Sequence, residues 1–423
     1  MASNAYRKTS VSPSATMLKA LPVRFLASPE PGGWSRRLPR RSLRLISAAL
    51  MTNPAYFEVG RFLGGYGFMN ITSYSSSQFG EPSNVAGIQD LGLGYSPEEI
   101  ERLRVQDIGE GEVTIREELF KVRTQAVFKV YPGARAGASE ADLMALNELR
   151  THAFLQSDAS DICTNIQFLL GAFETATGEQ WLAFRDDGRY SAADYAKLAS
   201  ARQLKEQSGG MPFWNPFDRA YKLELRRYFV LKLLNGAMSG LVHMHNHDRL
   251  HESLGPSSVI LNTALEKEGR YLVPRLRDLA FSVDIGYSST GAGVLSDGLW
   301  RRASAAGAST PLEKRAFGIA DDIYGAGLLV AYMAFIPFCE AGIMDGISLQ
   351  RLLENTFRLD IYAAREYCLA DDRLSEAVSF LDLGDGAGWE LLQAMLNPNY
   401  RKRPIAEAVL NHRFITGAVL RSY

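Results

Sequence analysis

Several features that mark whole protein classes are scarce or missing here. Cysteine is nearly absent: Cys163, Cys339 and Cys368 lie far apart and form no CxxC pair. That excludes a disulfide framework and a cysteine-built zinc site. No internal repeat is present, and no apolar run is clearly long enough for a bilayer. One apolar stretch without charge, Ile323 to Cys339, covers 17 residues and has Pro337 near its end; it reads as a buried core helix of a large domain. With 46% hydrophobic and 22% charged residues, the 423-residue chain is neither disordered nor fibrous. A net charge of −1 gives no sign of a nucleic-acid binder.

Acidic residues are missing from one place in particular. Residues 1–50 hold nine basic side chains and a single acid, Glu30, which leaves 37 basic against 46 acidic residues for the rest. This basic, serine-rich front has no continuous apolar core, so it does not fit a secretory signal. It resembles a chloroplast transit peptide over residues 1–48, and Ile46-Ser47-Ala48-Ala49 resembles its small-residue cleavage site. A mitochondrial presequence or a plain basic tail fits the same composition. The resemblance implies a chloroplast protein, in the stroma or on the stromal face of the thylakoid. Peripheral thylakoid association is compatible with it, and no transmembrane span is expected.

Residues 49–100 are rich in Gly, Ser and Tyr, with the run Ser73-Tyr74-Ser75-Ser76-Ser77, and read as a flexible extension. From 101 to 185 strand patterns prevail, notably Glu112–Arg116, Ala126–Val130, Ile166–Phe173 and Gln180–Phe184. One helix interrupts them, Ala138–Gln156, with Leu143, Leu146, Leu149 and Phe154 on or near one face. From 186 to 423 helical spacing takes over, in Ser191–Arg202, Asp218–His245, Asp322–Phe338, Ser348–Arg358 and Trp389–Met395. Strands followed by helices predict an α+β protein with a β-rich N-lobe and a helical C-lobe.

Two features could belong to a phosphate site. Gly109 and Gly111, in Asp107-Ile108-Gly109-Glu110-Gly111, stand where backbone amides could approach phosphates, although such a pair is commonly only a turn. An earlier rival is Gly64-Gly65-Tyr66-Gly67. Lys129 is an unexpected charge inside an apolar strand, and Glu148 follows it by 19 residues on the expected helix. A lysine there needs a charged partner or a path to solvent.

The run Gly240 to Leu261, with Leu241-Val242-His243-Met244-His245 and then His251-Glu252-Ser253-Leu254-Gly255-Pro256-Ser257-Ser258, resembles the catalytic-loop region of protein kinases. Arg277-Asp278-Leu279-Ala280 is similar to the family's metal-binding Asp-Phe-Gly, and its Asp-Leu to that of thylakoid-associated kinases. Asp322-Ile323-Tyr324-Gly325-Ala326-Gly327 resembles the start of the long buried helix. Met395-Leu396-Asn397-Pro398, Arg403-Pro404 and His412-Arg413-Phe414 resemble the C-terminal signature. The resemblance spans about residues 101–416. It implies the roles of glycine-loop residues for Gly109 and Gly111, an ion pair at the nucleotide for Lys129 and Glu148, and one Mg²⁺ ligand for Asp278. ATP and one Mg²⁺ are the implied cofactors. Arg403 would pair with an acid near the activation segment, for which Glu313 is the nearest choice.

The departures from the pattern fall in the loop. Ser253 stands at the position of the catalytic aspartate and Ser258 at that of the asparagine holding a second metal. Glu252 replaces an arginine, Gly255 a lysine, and Thr114 the third loop glycine. A serine does not take up a proton at neutral pH as a carboxylate does, and two hydroxyls make a poor hard-cation site. Three readings follow: a plastid pseudokinase that regulates or scaffolds a protein partner, an active unconventional Ser/Thr kinase using Asp248 or Glu252, and an assembly factor with a vestigial pocket. In the last, Phe213-Trp214-Asn215-Pro216-Phe217 would dock a partner. The cluster His243, His245, His247 and His251 reads mainly as structural, with zinc a minor alternative.

Overall fold

The computed structural model describes residues 50–54, 57–67, 104–114, 123–132, 139–208, 216–286 and 294–420. The transit-peptide segment 1–48, the serine run 73–77 and most of the aromatic loop, 209–215, lie outside the described residues.

A five-stranded antiparallel sheet is built from β1 (Phe57–Gly67), β2 (Arg104–Thr114), β3 (Arg123–Tyr131), β4 (Leu169–Glu174) and β5 (Gln180–Arg185), in the order β1-β2-β3-β5-β4. Helix α1 (Ser139–Leu155) joins β3 to β4. Strand β1 corrects the reading of residues 49–100 as a flexible extension throughout. So does Met51, whose backbone N–H donates to Leu170 O at 3.0 Å and whose carbonyl accepts from Ala172 N at 3.0 Å. A glycine-rich composition concealed pairing that depends on backbone groups alone.

Alternation along β3 divides its side chains between two layers. Phe128 and Val130 join Phe173 and Ala183 on one face. Tyr131 joins Leu182, Phe184 and the α1 residues Ala141, Met144 and Ala145 on the other. Lys129 has the same parity as Tyr131, so it points toward α1.

On α1 the expected apolar face is not the buried one. Leu143, Leu146 and Phe154 are exposed, whereas Glu148, Thr151 and His152 are buried beside Met144 and Leu155. The inward face of this helix meets charged groups from other elements, and an apolar-stripe reading misses such a face.

After β5 the chain turns at Gly188, whose φ is +136° and where a Cβ would lie 2.0 Å from Leu261 O. Only glycine fits. The two-residue β6 (Tyr190–Ser191) then leads into α2 (Ala192–Ser208) and the long α3 (Pro216–Asn246). Short strands follow: β7 (Arg249–Leu250), β8 (Val259–Leu261), β9 (Pro274–Leu276) and β10 (Val283–Asp284). β8 lies between β6 and β9, and β7 pairs with β10, which fixes the loop 251–258 at the end of α3.

Helix α4 (Asp297–Ala305) precedes α5 (Pro311–Phe335). The latter starts eleven residues before the expected Asp322, because Thr310 and Glu313 form a capping box and Pro311 occupies the first turn. It packs in the main core with α3, through Ile323, Leu329, Val330 and Phe335 against Leu233, Leu234, Ala237 and Leu241 among others. In the most apolar 18-residue window of Pro311–Phe338, 83% of the residues are buried within the fold. Cys163 is half-buried, Cys339 and Cys368 are buried, and all three are free thiols. Burial pushes Cys339 up to about 12 and Cys368 up to about 11, so neither forms a thiolate at neutral pH.

Candidate functional site

Three elements bring opposite charges together between the sheet and the loops after α3. From β3, Lys129 Nζ lies 2.8 Å from Glu148 Oε2 on α1 and 3.0 Å from Asp278 Oδ1 in the segment after β9. All three are nearly buried, at 3%, 1% and 6% exposure. Arg277 Nε, 3.3 Å from Asp278 Oδ2, brings the cluster to two positive and two negative charges. Burial at this depth is tolerable only for charges paired in this way.

Hydrogen bonds hold the carboxylates in place. The Tyr131 hydroxyl donates to Glu148 Oε2, and Leu279 N donates to Glu148 Oε1 at 3.1 Å. Asp278 itself adopts a left-handed conformation, φ 65° and ψ 51°, which aspartate tolerates better than most residues. Asn147 Nδ2 donates to the carbonyls of Ala280 and Ser282 at 2.8 Å each, tying the segment after Asp278 to α1. Also on the buried face of α1, His152 packs edge-on to Phe184, and desolvation together with Lys129 lowers its pKa to about 3.

The loop after α3 is organised by a residue not singled out in the sequence for this task. Asp322 of α5 accepts from His251 N at 2.7 Å, from Glu252 N at 2.8 Å and from His245 Nε2 at 2.9 Å. His251 Nε2 donates to Arg277 O at 3.1 Å, linking the loop to the Asp278 segment. Desolvation lowers the His251 pKa and keeps its ring neutral. The remaining ring nitrogen, Nδ1, is then an acceptor, and Ser253 N meets it at 3.3 Å.

Within that frame, Ser253 Oγ donates to Asp278 O at 3.0 Å. Ser258 Oγ donates to Gly255 O and accepts from Gly255 N, both at 2.9 Å. Each hydroxyl thus has a backbone partner in its own surroundings, and Ser253 Oγ also lies 3.3 Å from His251 Nδ1. Glu252 is buried and faces Arg302 Nη2 at 3.3 Å; Arg302 also pairs with Asp321. Burial, followed by the Asp321 charge, raises the Glu252 pKa well above the usual carboxylate range. Asp248 pairs with Arg315. Both carboxylates that the active-kinase reading requires are therefore bound to arginines.

Two expectations are corrected. Gly109 and Gly111 do not form a turn: they lie inside β2, opposite Phe62 and Val59 on one side and Phe128 and Ala126 on the other. With partners on both sides, their backbone groups serve the sheet. The rival Gly64-Gly65-Tyr66-Gly67 ends β1, next to the β1–β2 connection, residues 68–103, which lies outside the described residues. Arg403 does not pair with Glu313. Its guanidinium donates to Asn397 O at 2.8 Å and Ala320 O at 3.0 Å, while Glu313 caps α5 and lies 3.4 Å from Arg401. The cap's backbone and hydroxyl bonds hold the Glu313 pKa down at about 2.

Other members of the site left some trace in the sequence. Tyr131 could have been found two residues beyond Lys129 on the same strand face. Arg302 carries no local signal.

The residues present fit a nucleotide and one magnesium ion in their donor set: a buried ammonium held by a carboxylate, and a second carboxylate beside it. They do not supply the second metal ligand, since the Ser258 hydroxyl is closed on Gly255.

No family model matches this sequence, and no curated protein does. Solved structures do. A crystal structure of an Stt7 homolog from Micromonas algae, soaked with ATP, superposes with a TM-score of 0.52 at 16% identity, covering 93% of this chain and 100% of that one. The likeness is one of fold, and the fold is protein-kinase-like.

Proposed function

We propose that this chain is a plastid pseudokinase: a two-lobed kinase-like module that binds ATP, with one Mg²⁺ at Asp278, and acts by binding a protein partner rather than by phosphoryl transfer. One observation carries the reading, the engagement of both Ser253 and Ser258 hydroxyls with backbone at the positions of a base and a metal ligand. Phosphoryl transfer needs an oriented nucleophile and neutralisation of charge building on the phosphate oxygens. In this reading Lys129 would meet phosphate and Asp278 the metal, whereas no carboxylate in the loop is available to the acceptor hydroxyl. Bound ATP would supply a signal of occupancy, and opening of the Lys129–Asp278 contact would transmit it to α1 through Glu148. The soaking of the Stt7-homolog crystal with ATP supports the nucleotide part. The basic, serine-rich front supports the plastid part.

The experiment is a thermal-shift titration with ATP, with and without Mg²⁺, alongside Lys129→Ala and a radiolabelled transfer assay. The expected result is stabilisation that grows with ATP, is lost in the variant, and is accompanied by no transfer. Magnesium-dependent phosphorylation abolished by Asp278→Ala would overturn the reading in favour of an active kinase. Absence of any ATP shift would leave an assembly factor with a vestigial pocket.

A further inference from the structure

Away from the Lys129 cluster, three potential ligands meet where α3 ends. We propose that Asp161, His243 and His247 form a site for one divalent transition-metal ion of the zinc class. His243, in the last turn of α3, and His247, the residue after its end, stand four residues apart, and their ring centroids are 4.2 Å apart. Asp161, from the connection between α1 and β4, lies across from both. Its carboxylate is 3.1 Å from His247 Nε2 and 4.0 Å from His243 Nδ1. One ligand atom from each residue falls within 4.8 Å of the others, close enough for a small side-chain adjustment to enclose an ion with bonds of about 2 Å.

Two details indicate a cation at this point. His247 Nδ1 is 2.8 Å from the His243 carbonyl, and against a carbonyl it must be the donor. In the neutral ring, Nε2 then carries the lone pair and faces the Asp161 carboxylate, an acceptor against an acceptor. A proton or a metal ion between them removes the conflict. Donation of the far ring N–H to a backbone carbonyl is also the usual way in which metal-binding histidines are oriented. The second detail is His243, whose Nδ1 faces the Asp161 carboxylate at 4.0 Å, too far for a hydrogen bond, while its Nε2 is buried with no hydrogen-bond partner among the described residues.

The donor set selects the ion. Two imidazoles and one carboxylate suit zinc and its neighbours, and disfavour magnesium and calcium, which take oxygen ligands. Three protein ligands leave a fourth position, and the exposure of the Asp161 side chain, 59%, directs it to solvent. Arg249, two residues after His247, is committed to Asp284 at 2.6 Å. A bound ion would join the α1–β4 connection to the end of α3, and so fasten the helix carrying Glu148 to the loop that begins at His251.

The test is titration of the untagged, chelator-treated full chain with Zn²⁺ by calorimetry and with Co²⁺ by visible absorption. Asp161→Asn, His243→Gln and His247→Gln are compared, with thermal unfolding of each metal-free variant as a folding control. The expected result is one ion per chain, ligand-field bands with Co²⁺, and at least tenfold weaker binding in each variant, on the order seen when metal sites lose supporting groups. Asp161→Asn alters an exposed side chain and so keeps the test clear of folding defects. No stoichiometric binding, or binding unchanged in Asp161→Asn and His247→Gln, would overturn the proposal and leave a protonated histidine–aspartate pair.

Discussion

The two ends of the candidate site are held by opposite kinds of chemistry. At one end Lys129, Glu148, Asp278 and Arg277 are charges that stabilise one another, and each is intelligible only through its partners. At the other, Ser253 and Ser258 are neutral hydroxyls satisfied by nearby backbone. The loop that carries them is positioned by Asp322 and His251, neither of which would perform transfer. Support and chemistry therefore reside in different residues. Under the proposed pseudokinase reading, such a loop can lose reactive groups and keep its shape, whereas the charged end cannot lose one member without stranding the others.

Substitutions that break this contrast should fall in order of size. Lys129→Met leaves Glu148 and Asp278 buried without their cation, and should lower the unfolding free energy by about 3–5 kcal/mol in urea titration. Asp322→Asn converts a charged acceptor of two backbone N–H groups into a weaker one. It should cost about 2 kcal/mol and speed amide exchange at His251 and Glu252. An Asp322→Asn variant with wild-type exchange there would show that the loop is held by something else.

The third prediction concerns pH. His152 is neutral in the fold, with a pKa near 3, against an ordinary value of 6.5. Between those values the unfolded chain binds the proton and the folded chain does not, so stability must fall as pH drops below about 6.5. The slope from this one group approaches about 1.4 kcal/mol per pH unit. His152→Leu should remove this slope and give a shallower pH–stability curve than the wild type below about pH 6.5, and parallel curves would mean that the ring takes up its proton in the fold as readily as in the unfolded chain. Smallest of all, Ser253→Ala and Ser258→Ala should each cost only about 1 kcal/mol. A loss in Ser258→Ala matching that of Lys129→Met would erase the distinction between the two ends.

Legibility followed the range of the forces involved. Lys129 and Glu148 could be paired from the sequence because a charge in an apolar strand demands a partner and the resemblance to protein kinases implies a helix glutamate at that interval. The start of α5 was missed although Thr310, Pro311 and Glu313 mark it locally; the uncharged stretch after Asp322 drew attention away from the cap. The face of α1 was misread because Leu143 and Leu146 look like core, and only contact with β3 and the Asp278 segment makes Glu148 and His152 the buried residues. Gly109 and Gly111 were misplaced for a related reason: two glycines suit a turn until β1 and β3 are seen to flank them. Glu313 paired with its own helix cap and with Arg401, where local bonds outcompeted a distant guanidinium.

By itself the sequence determined the α+β order of strands and helices, the motif order from Lys129 to Arg403, and the absence of a carboxylate at positions 253 and 258. These are properties of residue type and spacing along the chain. Only the tertiary structure decided that Asp322 holds the loop, that Arg302 neutralises Glu252, that the serine hydroxyls are spent on backbone, and that Asp161 reaches His243 and His247. Each of those contacts joins residues from separate elements. Hydrogen bonds and buried ion pairs act over a few ångströms in space, so their partners are set by packing and leave little trace in sequence distance.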